Sequence, residues 1–230
     1  MDRILFTAAN IGEILHAQWI GEPEDSIANV QIDSRKCGRG TLFVPLKGER
    51  TDGHLYLNNI GENGTRHSLV DINWCEENRN SVETLVKQRG MAFLPVADTL
   101  TAMQELAAYH ISRFPDLKVV GITGSNGKTT TKEILGAILS ESMRTVINEG
   151  NLNSDIGLPL SVFRIEENHE IAVFEMGMNR IGEMDLLASI VKPDYALITN
   201  IGTAHIGPLG SRDAICLLYT SDAADEYQRV

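Results

Sequence analysis

One stretch decides the fold of the second half of this chain: Val119-Val-Gly-Ile-Thr-Gly-Ser-Asn-Gly-Lys-Thr-Thr-Thr-Lys132. The apolar run Lys118–Ile122 predicts a buried strand, the glycines from Gly121 to Gly127 predict a tight turn, and Lys128–Leu139 is compatible with a helix. Glycines let backbone amides approach an anion closely, and a helix N-terminus adds partial positive charge. A strand, a glycine loop and a helix start in this order therefore predict a phosphate site for a nucleotide such as ATP.

Two side chains at the predicted helix start fit nucleotide chemistry. Lys128 can reach the terminal phosphates, and the hydroxyl of Thr129 can ligate Mg²⁺. The glycine spacing differs from the common P-loop, which places a glycine where this chain has Ile122. The alternative is an ordinary turn between strand and helix, in which Lys128 is only a solvated residue.

The composition limits the classes of function. A length of 230 residues suggests one large or two modest domains, and a net charge of −11 argues against nonspecific binding to nucleic acid or anionic membranes. No apolar run reaches membrane-spanning length, and the N-terminus lacks the pattern of a secretory signal. Cys37, Cys75 and Cys216 are too widely spaced to predict a disulfide framework or a zinc site, so we expect a reducing cytoplasm.

The first half of the chain predicts a small domain of short strands. The segments 30–33 and 41–46 and the apolar run 91–96 are typical of strands, and Thr99–Arg113 has helical periodicity. The segment Phe114-Pro-Asp116 ends that helix, because proline disfavours helical geometry in the residue before it. We therefore predict a domain boundary after residue 115.

The second half alternates strands and helices. The predicted strands cover 118–122, 144–147, 170–174 and 194–199, and the predicted helices cover 128–140, a segment after Ser154, and 182–190. Such alternation implies a parallel sheet with crossover helices, whose ligands sit at the carboxyl ends of the strands. The predicted fold class is α/β, with a small N-terminal α/β domain followed by a P-loop ATPase-like parallel-sheet domain.

Polar residues follow several of these strands. Glu175 comes directly after an apolar run and can bind Mg²⁺, although it can equally be a capping or solvated glutamate. His205 lies just past a later strand and can ligate a metal or orient a phosphate, although a lone histidine is more often structural. Asn148, Asn151 and Asn153 are typical of turns, and as a group they can donate hydrogen bonds to a phosphate or a polar substrate.

Several ordered motifs together resemble the Mur ligase family, the ATP-dependent amide ligases of peptidoglycan precursor synthesis. The similar motifs of the second half are Thr123-Gly-Ser-Asn-Gly-Lys-Thr-Thr130, Gly150-Asn-Leu-Asn-Ser-Asp-Ile-Gly-Leu-Pro159, Glu175-Met-Gly-Met178, Asn200-Ile-Gly-Thr-Ala-His-Ile206 and Leu209-Gly-Ser211. Those of the first half are Asp33-Ser-Arg35, Gly40-Thr-Leu-Phe-Val-Pro-Leu46 and Lys47-Gly-Glu-Arg-Thr-Asp-Gly-His54, which look like the family's uridine-nucleotide-binding domain. Within the family, the residues of the last two motifs of the second half are most similar to those of the members that add D-alanyl-D-alanine to UDP-N-acetylmuramoyl-tripeptide.

The resemblance implies a reaction, its cofactors and its site residues. ATP phosphorylates a substrate carboxylate to an acyl phosphate, which the amine of the dipeptide then attacks. Thr129 and Glu175 are implied to bind one Mg²⁺, and His205 belongs to a second metal site. The implied catalytic residues are Lys128, Glu175 and His205. The implied nucleotide contacts are Gly124, Ser125, Asn126, Gly127, Lys128, Thr129, Thr130 and Asn148, and the substrate contacts are Ser34, Arg35, Asn151 and Asn153. We expect a monomer that binds neither nucleic acid nor membrane.

The chain departs from the family pattern at its end. We expect residues 1–115 to be the UDP-substrate domain, 116–215 a partial central ATP-binding domain, and 216–230 a non-family tail or reading-frame artefact. Family members have a third domain and, in several cases, a carbamylated lysine after the last motif, whereas no lysine follows Lys192 here. These differences predict an inactive fragment, and the alternative is a genuine divergent tail. The alternative functions are a ligase that adds the third peptide residue, a folate polyglutamate ligase, which Asp33-Ser-Arg35 argues against, and a non-catalytic nucleotide-binding module.

Overall fold

The computed structural model describes residues 4–48, 51–178, 180 and 182–201. The described residues form two compact units, which divide between Tyr109 and His110. This division falls inside helix α5 (Thr99–Ser112), a few residues before the proline segment that marks the predicted boundary. The domain limits derived from the sequence stay a prediction, and the tail after residue 215 lies outside the described residues.

The first unit contains a four-stranded, all-parallel sheet in the order β3-β4-β5-β6 and a separate antiparallel pair, β1-β2. Its strands are β1 (Phe6–Thr7), β2 (Ser26–Ile27), β3 (Asn29–Gln31), β4 (Thr41–Phe43), β5 (His67–Asp71) and β6 (Ala92–Val96). Its helices are α1 (Ala8–Ile14), α2 (Leu57–Glu62), α3 (Ile72–Glu77) and α4 (Arg79–Arg89), with 3-10 helices at Ser34–Lys36 and Gly53–Tyr56.

The core of the first unit lies between this sheet and its helices. Phe43, Val70 and Phe93 project from neighbouring strands and are fully buried. Ile60 of α2 and Val82 of α4 pack into the same cluster. Burial of these apolar side chains is the main stabilising contribution to the unit.

The second unit contains the predicted parallel sheet, in the order β10-β7-β9-β8. Its strands are β7 (Lys118–Thr123), β8 (Thr145–Ile147), β9 (Ile171–Glu175) and β10 (Tyr195–Ile198), and its helices are α6 (Lys128–Ser140), α7 (Gly157–Val162) and α8 (Glu183–Val191). Parallel strands point the same way, so the segments that follow β7, β8, β9 and β10 emerge at one edge of the sheet. The α/β class and the parallel sheet predicted from the sequence are confirmed.

One stripe of apolar side chains holds α6 on this sheet. Val120 and Ile122 of β7 and Val173 of β9 form a buried cluster, against which Leu135 and Leu139 of α6 pack. The residues Leu135 and Leu139 are one helical turn apart, so they lie on the same face. This packing fixes the start of α6 above the carboxyl ends of the strands. Among the described residues, no helix has the length and apolar character needed to span a membrane.

Candidate nucleotide and metal site

The glycine loop between β7 and α6 has the geometry of an anion cradle. Gly124 and Gly127 adopt φ angles of +127° and +82°, in the region that glycine enters without strain. Gly127 is the N-cap of α6, and it caps the helix with no side-chain hydrogen bond, while the first turn of α6 carries no acidic residue. The first N–H groups of a helix have no acceptor within the helix, so those of α6 are oriented towards the loop.

The segment after β10 braces this loop. The backbone N–H of Ser125 donates to the carbonyl of Asn200 at 3.0 Å, and the N–H of Asn126 donates to the side-chain Oδ1 of Asn200 at 2.9 Å. The hydroxyl of Thr199 donates to the carbonyl of Asn126 at 2.6 Å. Residues 199 and 200, which follow β10, therefore lie against the glycine loop.

Lys128 folds back over the loop that precedes it. Its Nζ donates a hydrogen bond to the carbonyl of Gly124 at 2.7 Å. A lysine in this position carries its charge at the mouth of the cradle, where the helix N-terminus already favours an anion.

Glu175, the last residue of β9, forms the centre of the polar network beside the loop. Its side chain is buried, and its Oε2 accepts a hydrogen bond from the hydroxyl of Thr129 at 2.8 Å. Its other oxygen, Oε1, accepts one from Nδ2 of Asn153 at 2.7 Å. The two residues predicted to share a Mg²⁺ ion thus lie in direct contact. Asn153 thus contacts this carboxylate, and its predicted role in substrate binding stays a prediction.

Asn148 brackets the backbone of Glu175. Its Oδ1 accepts from the N–H of Glu175 at 2.9 Å, and its Nδ2 donates to the carbonyls of Glu175 at 2.9 Å and Leu152 at 2.8 Å. Both amide hydrogens are therefore used within the protein, and the residue is fully buried. Asn148 thus supports the backbone of Glu175, and the nucleotide contact that the resemblance implies stays a prediction. Asn151, by contrast, is exposed at the tip of the same turn.

The donor set fits Mg²⁺ and a polyphosphate. Mg²⁺ prefers hard oxygen ligands, and Thr129 and Glu175 supply a hydroxyl and a carboxylate beside the cradle. The described residues contain no cluster of three or more His, Cys, Asp or Glu side chains that can hold a metal by themselves. An ion with only one or two protein ligands plus phosphate oxygens is the arrangement that Mg²⁺ adopts at nucleotide sites. His205, predicted to serve a second metal, lies outside the described residues.

A second candidate site lies in the first unit, at the 3-10 helix Ser34–Lys36. Arg35 forms a two-point ion pair with Asp33: its Nε and Nη2 donate to the two carboxylate oxygens at 2.9 and 2.8 Å. These hydrogen bonds hold the pKa of Asp33 at about 2, below its ordinary value of 3.8. The pair is therefore complete above pH 4 and is lost only as the pH falls towards 2. The side chain of Arg35 is 87% exposed, so its remaining donors face solvent.

Sequence reasoning missed one residue that shapes the neighbouring loop. His54 is buried, its Nδ1 lies 2.6 Å from Oδ1 of Asp52, and its Nε2 accepts a hydrogen bond from the N–H of Asp71. The ring also stacks on Trp74, with centroids 4.8 Å apart. This histidine fastens the end of the polar loop 47–54 to the carboxyl end of β5. In the sequence, this contact is indicated by the position of His54 two residues after Asp52.

We expect Gly124→Ala to disrupt the glycine loop. The added Cβ would collide with Oγ1 of Thr199 and lie 3.0 Å from the backbone of Asn200, at a φ angle that alanine rarely adopts. The expected loss of unfolding free energy is about 3 kcal/mol, measured by denaturant titration. Gly38→Ala is the matched control, because an added Cβ there meets nothing within 4 Å. Equal stabilities of the two variants would contradict the close approach at Gly124.

Comparison with protein families supports the same organisation. The family model described as "Mur ligase middle domain" matches residues 122–217, and the one described as "Mur ligase family, catalytic domain" matches residues 26–110. The chain belongs to the Mur ligase family. The resemblance to this family is therefore confirmed: the first matched range ends inside α5, and the second begins inside β7.

Relatives of this Mur ligase chain extend the comparison. It is 44% identical over 195 residues to the UDP-N-acetylmuramoyl-tripeptide--D-alanyl-D-alanine ligase of Treponema pallidum, covering 81% of this chain and 40% of the relative. It is 42% identical over 211 residues to the ligase of the same name from Bacillus subtilis, covering 91% of this chain and 44% of the relative. The chain therefore spans less than half the length of these relatives.

Solved structures agree with these relatives. A crystal structure of MurF from Acinetobacter baumannii matches with a TM-score of 0.81 and 39% identity, over 92% of this chain and 44% of that one. MurF from Thermotoga maritima, solved in complex with ADP, matches with a TM-score of 0.70 and 30% identity, over 84% of this chain and 43% of that one. The Mur ligase fold thus covers both units of the chain.

Proposed function

We propose that this chain forms the UDP-substrate-binding and ATP-binding parts of a ligase that joins D-alanyl-D-alanine to UDP-N-acetylmuramoyl-tripeptide. The observation that carries the proposal is the contact between Thr129 and Glu175 beside the glycine loop, in a chain whose relatives bear that ligase's name. That shared name favours this reaction over the addition of the third peptide residue.

The cradle binds the phosphates of ATP in this proposal. The N–H groups at the start of α6 and the ammonium of Lys128 surround the terminal phosphates. In a phosphoryl transfer, negative charge spreads over the transferred oxygens, and fixed donors stabilise it. Lys128 already lies within the cradle, at 2.7 Å from the carbonyl of Gly124, so little side-chain ordering remains to be done on binding.

Thr129 and Glu175 would hold Mg²⁺ next to those phosphates. Mg²⁺ supplies Lewis-acid neutralisation of the phosphate oxygens when it is bound. Glu175 keeps its carboxylate aimed at Thr129 because Asn153 anchors the second oxygen. His205 is proposed to serve a second metal. The proposed localisation is the cytoplasm, where ATP and Mg²⁺ are available.

The first unit is proposed to bind the uridine nucleotide of the acceptor. Ser34 and Arg35 lie at the carboxyl end of β3, and Arg35 presents a guanidinium held by Asp33. The planar guanidinium fork can donate two parallel hydrogen bonds to two oxygens of a phosphate. Ligation then requires the substrate carboxylate to be phosphorylated to an acyl phosphate and the dipeptide amine to displace phosphate from it.

The reaction is tested in a complete ligase. Residues 26–217 of this chain replace the corresponding segment of the Bacillus subtilis relative, and the product is followed by mass spectrometry. We expect ATP-dependent and Mg²⁺-dependent formation of UDP-N-acetylmuramoyl-pentapeptide, with one phosphate released per bond. Loss of the product in the Lys128→Ala form of the same chimera is the control. A folded chimera that binds MgATP but ligates a different amine would contradict the proposed substrate.

Arg35→Ala tests the uridine-nucleotide site in the chain itself. We expect about tenfold weaker binding of UDP-N-acetylmuramoyl-tripeptide, because one charge-assisted contact to phosphate is removed. Affinity is measured by calorimetry, with MgATP binding in the second unit unchanged. Arg79→Ala, which removes an exposed arginine at the start of α4, is the matched control. An equal, small effect of both variants would place the uridine nucleotide elsewhere.

A further inference from the structure

Lys132 is a fully buried cation that the proposed reaction leaves unexplained. It lies in α6, and its side chain has no solvent exposure. Moving an ammonium group out of water is costly unless its protons are well satisfied. In the described part of the chain, its Nζ donates to the carbonyl of Asn148 at 2.6 Å and pairs with Oε1 of Glu133 at 3.0 Å. An apolar side chain of similar volume would fill this space without that cost.

One residue, Asn148, connects Lys132 to Glu175, whose carboxylate is proposed to bind the metal. Asn148, whose carbonyl accepts from Lys132, uses its own side chain to bond both the N–H and the carbonyl of Glu175. Asn148 directly follows β8 and Glu175 ends β9, so this side chain joins the ends of two neighbouring strands. The backbone position of Glu175 therefore depends on where Asn148 is held.

Helix α6 thus holds the two strand ends with two side chains. Thr129 contacts the carboxylate of Glu175, and Lys132, three positions later on the same helical face, fixes the backbone of Asn148. We propose that Lys132 is a positioning residue for Glu175, acting through Asn148. This inference rests on the proposed function in so far as Glu175 serves the metal. Lys132 itself touches neither substrate nor metal.

Amide hydrogen exchange tests the positioning directly. The N–H of Glu175 donates to Asn148, whereas the N–H of Val173 belongs to the middle of β9. In Lys132→Met, we expect the exchange rate of the Glu175 amide to increase by a factor about ten times larger than that of the Val173 amide. The reason is that the hydrogen bonds between Asn148 and the backbone of Glu175 weaken locally. Leu187→Ala, a cavity in α8, is the control for general destabilisation and should affect both amides by the same factor. An equal change at both amides in Lys132→Met would overturn the proposal.

Nucleotide binding supplies a second measurement. Mg²⁺ should raise the affinity of the wild type for ATP. In Lys132→Met, we expect the factor of this increase to be about tenfold smaller, whereas the affinity for ATP without Mg²⁺ should change little. An unaltered Mg²⁺ gain would also overturn the positioning role. A wild type with no Mg²⁺ gain would refute the proposed function, and the exchange ratio alone would then decide the role of Lys132. If Lys132→Met does not fold, Lys132→Gln, one atom shorter than lysine, is measured against the same expectations.

Discussion

Replacing Lys128 with alanine should almost abolish nucleotide binding. The ammonium of Lys128 lies in the cradle between β7 and α6, and a charge-assisted contact to phosphate cannot be replaced by a methyl group. The expected loss is about 2 to 3 kcal/mol, or roughly 30- to 150-fold in affinity for MgATP. Isothermal titration calorimetry of the purified chain measures this loss.

Lys87→Ala is the matched control for that experiment. Lys87 is exposed on α4 and, among the residues that the structure describes, pairs with Glu83, one helical turn away, at 3.4 Å. Its removal should leave nucleotide affinity within about twofold, since exposed pairs of this kind contribute little. If the Lys128→Ala variant binds MgATP as tightly as the control, the assignment of the phosphate site to the glycine loop is contradicted.

Replacing Glu175 with glutamine should remove most of the effect of Mg²⁺ on nucleotide binding. The substitution keeps the size of the side chain, but a neutral amide is a poorer ligand for a hard cation. We expect the affinity for ATP at saturating Mg²⁺ to fall by at least about tenfold, and the affinity without Mg²⁺ to change little. Calorimetric titrations of ATP at a series of Mg²⁺ concentrations measure both quantities.

Glu170→Gln provides the control at the opposite end of the same strand. Glu170 immediately precedes β9, and its carboxylate accepts a hydrogen bond from the N–H of Arg144, away from the loop. This variant should retain the wild-type response to Mg²⁺. If the Mg²⁺ titration of Glu175→Gln overlays that of the control, Glu175 is a structural residue that only caps the network around Thr129 and Asn153.

The second unit was largely predictable because its signals are local and long. The run 118–140 contains a continuous apolar strand, a glycine turn and a helix of thirteen residues, so periodicity and turn chemistry agree. The alternation of strands and helices then fixed the parallel sheet. It also indicated that Glu175 and the glycine loop lie at the same edge of the sheet, which is formed by the carboxyl ends of the strands.

The region between residues 57 and 89 was not predicted, for a physical reason. Helices α2 and α3 have only six residues each, too few to show a 3.6-residue period. Strand β5 carries His67 and Ser68, two polar residues that are nevertheless fully buried. His67 is accommodated there because its Nε2 lies 2.7 Å from the carbonyl of Glu24. Such tertiary partners are not visible in the sequence.

The candidate site shows the same division between local and tertiary information. The roles proposed for Lys128, Thr129 and Glu175 could be predicted from the motif and the strand order. The roles of Asn148 and Asn153 do not, because an asparagine near glycines is typical of any turn, and only the fold directs these side chains to Glu175. Lys132 has the spacing of an ordinary helical surface lysine, and its complete burial is a property of the packed unit.

Mapping of MgATP binding by backbone amide chemical shifts tests whether the glycine loop is the ATP site. We expect saturable shift changes concentrated at the glycine loop and the first turn of α6, from Gly124 to Thr130, and at Glu175, with Mg²⁺ required for the change at Glu175. The first unit should show no comparable change with MgATP. Saturable shifts confined to other residues, or no response to MgATP from a folded chain, would contradict the assignment of this loop as the ATP site.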